Sequence, residues 1–249
     1  MSIERERAIT QAFVSLADTM VNDFDVVDLL TTLTAQCARL LDVASAGLLL
    51  ADRRRVLHVV AASSEQTRTL ELFQLQRDQG PCLECFHSGN PVSVADLASQ
   101  AGRWPQFVPA ARLQGFASVH AIPMRLRDNV LGTLGLFGVN VGALNDEDLE
   151  LGQALAHVAS VIVVTGSTVA DGKLVVQQLQ NALDSRVVIE QAKGILAQRG
   201  RMTMDDAYAQ LRQYARSHNE LLTLVAKRLV SRELSPQSIL TPQHSGRND

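Results

Sequence analysis

The chain contains few aromatic residues and few cysteines. Aromatic residues make up 4% of its 249 residues and hydrophobic residues 46%, so its core must be mostly aliphatic. The three cysteines are Cys37, Cys82 and Cys85. A low, odd cysteine count does not suit a disulfide framework and is typical of a reducing compartment. We therefore expect a cytoplasmic protein.

The sequence also lacks a long apolar run. The longest, HVASVIVVTG, is far shorter than the ~20 residues that a membrane-spanning helix needs. The opening stretch MSIERERAIT is charged and no apolar run follows it, so we expect no signal peptide. These features predict a protein without a membrane partner.

No group of residues has catalytic spacing. There is no Ser-His-Asp set, no pair of carboxylates and no phosphate-binding loop, so we do not expect an enzyme, and no cofactor is evident. Cys82, Cys85 and the nearby His87 lack a fourth zinc ligand, so no metal site is predicted.

Cys82 and Cys85 offer one chemical alternative. Pro81 is typical of a helix start, which would place Cys82 in the first turn, where the helix dipole lowers the pKa of a thiol. The two sulfurs, three positions apart, would share a helix face. A redox switch is one interpretation, and a pair of ordinary buried cysteines is the other.

The net charge of −3 conceals a division along the chain. Residues 1–172 hold 12 Lys and Arg against 19 Asp and Glu, a net −7, whereas residues 173–249 hold 11 against 7, a net +4. This asymmetry is typical of a sensor joined to a nucleic-acid-binding module, and it is also compatible with two halves that attract each other.

The first part of the chain mixes helical and strand patterns. Two helices are predicted over 3–22 and 25–42, and residues 66–76 fit either a helix or a strand. SAGLLLAD and VLHVVAAS, separated by DRRR, predict one hairpin, and the strands around RDN at 127–129 predict another. The pattern indicates an α+β fold with a central antiparallel sheet and flanking helices.

A heptad spacing follows from residue 151 onward. Eight of the ten positions spaced alternately by four and three residues are apolar, which favours a coiled-coil connection that pairs with a second copy. The alternative is a helix that packs on its own domain. The ten positions are Leu151, Leu155, Val158, Ile162, Thr165, Val169, Gly172, Val176, Leu179 and Leu183.

The last part of the chain predicts a three-helix bundle. One helix stops at Gly200, and Thr203 with Asp206 forms an acidic capping box for the next, which runs to about Ser217. Asn219 is a candidate cap for the final helix. The tail SPQSILTPQHSGRND is polar, contains two prolines, and is predicted to be disordered.

The segment LQNALDSRVVIEQAKGILAQRGRMTMDDAYAQLRQYARSHNELLTLVAKRLV resembles the ANTAR family of RNA-binding antitermination domains. Upstream, GPCLECFHSGNPVSVADL, WPQF and GFASVHAIPMRLRDNVLGTLGLFG resemble the GAF sensor domain that precedes such modules in actinobacterial regulators. The resemblance implies a homodimeric regulator that binds paired stem-loops in leader RNA and prevents premature termination of transcription. The expected divisions are an N-terminal helix over 1–23, a GAF sensor over 24–165, a coiled-coil connection over 166–180, an ANTAR domain over 171–233 and a disordered tail over 234–249.

The candidate RNA surface lies in the last three helices. Arg186 and Lys193, seven positions apart, are predicted to face outward and span phosphates, and Gly194 is predicted to admit a neighbouring helix or a ligand backbone. Tyr208 and Arg212 offer a stacking plane and a guanidinium for an unpaired base. The full set of predicted RNA-binding residues is Arg186, Lys193, Gly194, Tyr208, Arg212, Arg216, Asn219 and Lys227.

Two other functions compete with RNA binding. A ligand or redox sensor could signal through protein contacts alone, with the basic helix docked on the acidic half of the chain. A DNA-binding module would show affinity for duplexes that depends on the major groove.

Overall fold

The structure is a computed structural model that describes residues 3–21, 24–165, 174–218 and 220–240. The chain divides into two compact units, residues 1–183 and residues 184–249. The predicted connection at 166–180 lies largely outside the described residues, as do the seam positions Val169 and Gly172.

A five-stranded antiparallel sheet forms the centre of the first unit. The strands lie in the order β2-β1-β5-β4-β3. Both predicted hairpins are present, since β1 pairs with β2 and β4 pairs with β5. The strands are β1 (Ser45–Ala51), β2 (Leu57–Ala62), β3 (Val92–Val94), β4 (Ser118–Leu126) and β5 (Asn129–Gly138). The α+β fold is confirmed.

Helices pack on the sheet and on one another in the first unit. The second and sixth helices contact the sheet together, while the third, fourth and fifth share a separate aliphatic and aromatic core over Leu49, Val119 and Phe137. A short 3₁₀ helix spans Leu97–Gln100. The α-helices are α1 (Ile3–Val21), α2 (Val26–Leu40), α3 (Glu65–Arg77), α4 (Pro81–Ser88), α5 (Phe107–Leu113) and α6 (Asp146–Thr165).

Helix α6 packs closely on the sheet of its own unit. A Cβ at Gly152 would come within 2.8 Å of Cδ1 of Ile122, so a larger residue there would require the Ile122 side chain to shift. Leu155 and Ile162, two positions of the predicted coiled-coil seam, are fully buried in the unit. These two positions fit the alternative of a helix that packs on its own domain, whereas Leu151 and Val158 are only half-buried, and pairing with a second copy stays a prediction.

By length and hydropathy, α6 would also suffice to cross a membrane, and 44% of its most apolar window is buried. The uninterrupted apolar run within α6 is too short to span a membrane, but the whole helix, with its few polar residues included, is long and apolar enough. Asp148 in its first turn is buried against Arg5, and its backbone N–H donates to the side chain of Asn145 at 2.8 Å. The buried face of α6 belongs to the core of the first unit, and this packing accounts for its apolar composition.

The described part of the second unit is helical. Thr203 caps α8, since the N–H of Asp206 donates to its hydroxyl at 3.1 Å, as the capping box predicts. The core includes Leu211, Val225 and Leu229, all nearly inaccessible to solvent. The helices are α7 (Leu174–Gly200), which begins before the unit boundary at residue 184, α8 (Met204–Ser217), α9 (Leu222–Val230) and α10 (Pro236–Leu240).

The predicted disordered tail is wrong for residues 234–240. Residues Pro236–Leu240 form α10, and the side chains of Leu234 and Ile239 are 6% and 5% exposed. Burial of these two aliphatic side chains offsets the cost of ordering a short polar segment. Residues 241–249 lie outside the described residues.

Candidate nucleic-acid interface

Three charged side chains of α7 form a compact network. The guanidinium of Arg186 lies 2.6 Å from Oε1 of Glu190, and Nζ of Lys193 lies 3.3 Å from the same oxygen. Their spacings of four and three residues bring the three side chains together on one side of the helix. One carboxylate therefore holds two cations.

Both cations are buried. Arg186 is 8% exposed and Lys193 is 4% exposed, so the prediction that they face outward is wrong. The apolar spacing of α7 predicts a core face of Val188, Ala192, Ile195 and Leu196, of which Ala192 and Leu196 are fully buried and Val188 and Ile195 only half-buried. The buried line of the helix instead runs through Leu183, Arg186, Ile189, Ala192, Lys193 and Leu196.

The sequence contained a signal for this arrangement. The heptad positions continue from Leu183 to Arg186, Glu190 and Lys193 in steps of three, four and three residues. Charged residues on an apolar line are buried together when they neutralise one another. The ion-paired network is therefore the polar continuation of an apolar seam.

Tyr208 of α8 completes this network. Nζ of Lys193 lies 5.6 Å from the centroid of the Tyr208 ring, which is within cation–π distance. Tyr208 and Arg212 are both half-buried. Tyr208 therefore meets a lysine within its own unit, and its stacking on an unpaired base stays a prediction.

The space that a side chain at position 194 would occupy is empty of described atoms. A Cβ there would meet no described heavy atom within 4 Å. Glycine in a helix interior costs ~1 kcal/mol relative to alanine. Among the described residues, close packing of a neighbouring helix does not explain this cost, and the close approach of another molecule would.

The exposed cations lie elsewhere in the unit. Arg216 of α8 and Lys227 of α9, both predicted RNA-binding residues, are exposed. Asn219 lies outside the described residues. Three further basic residues, Arg199, Arg201 and Arg232, are also exposed. They lie outside the motif positions, so the sequence gives no signal for them.

In the first unit, Cys82 and Cys85 are fully buried. Burial raises the pKa of the Cys82 thiol well above its ordinary value, and it raises the pKa of Cys85 to about 12. The predicted lowering of the thiol pKa by the helix dipole is wrong, because desolvation in this core outweighs it. A redox role would need a thiolate that this environment disfavours.

A buried carboxyl group lies beside Cys82. Glu71 of α3 is fully buried, and burial raises its pKa to about 8 against smaller opposing effects of its hydrogen bonds. The Cys82 thiol donates to Oε1 at 3.6 Å, and the side-chain amide of Gln74 donates to Oε2. Gly47 and Gly135, which are paired across strands β1 and β5, leave room for the Glu71 carboxyl group. A Cβ at either position would come within 2.8 Å of Oε1 of Glu71.

A surface cavity of about 320 Å³ lies elsewhere in the first unit. Ser118, His120 and Asp148 are among the residues that line it, and burial lowers the pKa of His120. Within the described residues, no three His, Cys, Asp or Glu side chains come together as metal ligands would.

Two family models match the chain. The GAF domain model matches residues 25–164, more than half of the chain, and the ANTAR domain model matches residues 177–230. The chain therefore belongs to the GAF-domain family, and it carries an ANTAR domain after the GAF domain. No curated protein sequence matches the chain significantly.

Several solved structures are similar to part of this chain. The GAF domain of an Acinetobacter phosphoenolpyruvate-protein phosphotransferase is 16% identical, with a TM-score of 0.50, over 69% of this chain and 99% of that one. A GAF domain/HD domain protein from Geobacter sulfurreducens is 19% identical, with a TM-score of 0.47, over 65% and 97%. A type II free methionine-R-sulfoxide reductase from Thermoplasma acidophilum is 17% identical, with a TM-score of 0.42, over 55% and 94%.

Proposed function

We propose that this protein is a signal-responsive RNA-binding antiterminator of the actinobacterial GAF–ANTAR type. It acts in the cytoplasm as a homodimer, binds paired stem-loops in leader RNA and prevents premature termination of transcription. The observation that carries the proposal is the ANTAR match to residues 177–230, which falls in the part of the chain with net positive charge. The GAF domain supplies the input, from a ligand not yet identified.

Accessibility divides the candidate RNA-binding residues into two groups. Arg216 and Lys227 are exposed, so they are the direct phosphate contacts in this proposal. Arg186 and Lys193 are buried and paired with Glu190 within α7, and Lys193 also meets the Tyr208 ring of α8, so both act in this proposal by shaping the unit. Gly194 leaves open space in which an RNA backbone can approach α7.

The test is a gel-shift titration of the full chain with RNA that carries two stem-loops. Matched probes carry one stem-loop, or the same sequence as duplex DNA. The proposal predicts tightest binding to the paired stem-loops and weak binding to the duplex DNA, whose bases are stacked and paired.

If the protein shifts neither the RNA with two stem-loops nor the RNA with one, the proposal is overturned and signalling through protein contacts is favoured. Equal retention of RNA and duplex DNA would favour the DNA-binding alternative. Transcription in vitro through a leader terminator gives the functional measure: the protein should increase readthrough only on templates with intact paired stem-loops.

A further inference from the structure

Two flat rings are stacked at the end of α8. The ring centroids of Tyr214 and His218 are 3.9 Å apart, and the ring planes meet at 18°. His218 is the residue that ends the helix, and its Nδ1 donates to the carbonyl of Tyr214 at 2.9 Å. The imidazole is therefore held in place by the main chain on one edge and by the phenol ring on one face.

Within the part of the chain that the structure describes, the imidazole is accessible to solvent. His218 is exposed, whereas Tyr214 is half-buried. Because the phenol covers one face of the imidazole, the exposed area lies on the opposite face and the free edge. The helix end is capped by the backbone N–H of His218, which donates to the Tyr214 carbonyl at 3.1 Å, so the parallel ring is an additional feature.

The guanidinium of Arg228 in α9 is held by Glu220 and lies within electrostatic range of Tyr214. It contacts both carboxylate oxygens of Glu220, at 2.8 and 2.6 Å. Leu224, which is 48% exposed, is four residues before Arg228 and shares its helix face. The neighbouring Lys227 is exposed and adds an unburied positive charge.

We propose that the Tyr214–His218 pair is a stacking platform for an unpaired RNA base, which rests on the proposed RNA-binding function. An exposed ring that is backed by a second ring, within electrostatic range of a planar cation, is the kind of surface on which single-stranded nucleic acid stacks. RNA loops present unpaired bases, and fully paired duplexes do not. This pair takes the stacking role that sequence reasoning assigned to Tyr208.

The test uses a stem-loop RNA with 2-aminopurine at a loop position, titrated with the full-length protein. His218→Asn keeps a side chain that can cap the helix but removes the ring, whereas His218→Phe keeps a ring. We expect the asparagine variant to lose affinity roughly five- to a hundred-fold and to lose quenching of the 2-aminopurine, and the phenylalanine variant to restore both. Binding to a fully paired RNA of equal length should be the same for all three proteins.

Two results would contradict the inference, and they are distinguishable. If wild-type protein retains no RNA, the proposed function and the platform both fail. If wild-type protein binds and quenches but His218→Asn does so equally, RNA binding stands and the ring pair is only a helix cap. Circular dichroism of each variant confirms that the helices are intact, and Tyr214→Ala provides a second removal of the platform.

Discussion

The buried carboxyl group of Glu71 should make the stability of the first unit fall as the pH rises. Its pKa is raised from 4.5 to about 8 by burial. Between these two values the unfolded chain has lost the proton, while the folded chain retains it. Folding then takes up a proton, so the free energy of unfolding decreases through this range and levels off above the folded-state pKa.

The expected effect is large enough to measure. Each pKa unit corresponds to about 1.4 kcal/mol, so the full difference is about 5 kcal/mol, of which about 4 kcal/mol falls between about pH 5 and about pH 8. Typical domains have a free energy of unfolding of about 5–15 kcal/mol. Glu71→Gln keeps the size and polarity of the side chain and removes the titration.

Urea unfolding at several pH values, followed by the fluorescence of Trp104, is the assay. Trp104 is the chain's one tryptophan and is buried in the first unit, so it reports on that unit. Glu65→Gln on the same helix is the control, because the Glu65 side chain is 41% exposed. The gap between wild type and Glu71→Gln should widen with pH in favour of the variant, while Glu65→Gln follows the wild type. Parallel stability curves for wild type and Glu71→Gln would refute the raised pKa.

Three further predictions concern the two cores. Gly135→Ala should destabilise the first unit by about 1–3 kcal/mol through overpacking against Glu71, whereas Gly102→Ala, where a Cβ meets nothing within 4 Å, should not; urea unfolding distinguishes them. The buried thiol of Cys82 should react with a thiol reagent at mildly alkaline pH only after unfolding in urea, and rapid reaction of the native protein would contradict its raised pKa. Glu190→Ala should destabilise the second unit by about 3–5 kcal/mol because it leaves two buried cations without their shared carboxylate, and unchanged helix melting by circular dichroism would show that the network contributes little.

The sheet was predictable from sequence because its signals are local. Alternating apolar residues and the turn clusters DRRR and RDN sufficed for both hairpins. Helix α3 was left undecided for a physical reason, since three of its buried residues, Thr67, Glu71 and Gln74, are polar. A helix whose inner face is polar gives no apolar period to detect.

The candidate site was predicted less well than the fold. A core face that includes Val188 and Ile195 predicts that Arg186 and Lys193 face outward, although their positions continue the apolar line from Leu183 and both are buried. The pairing with Glu190 that permits their burial depends on side-chain geometry. The ring pair of Tyr214 and His218 was missed for the same reason, because stacking depends on the rotamers at the helix end.

The most direct test of RNA recognition by the exposed cations is the salt dependence of binding to the paired stem-loop RNA. The account predicts that Arg216→Ala with Lys227→Ala weakens binding and lowers the slope of log affinity against log salt by about 1.4–1.8, since each lost phosphate contact removes about 0.7–0.9. The control removes the same charge from the first unit, by Arg77→Ala with Arg112→Ala at two exposed positions. An unchanged slope for the Arg216 and Lys227 variant, or an equal fall in the control, would contradict the assignment of these residues to the RNA surface.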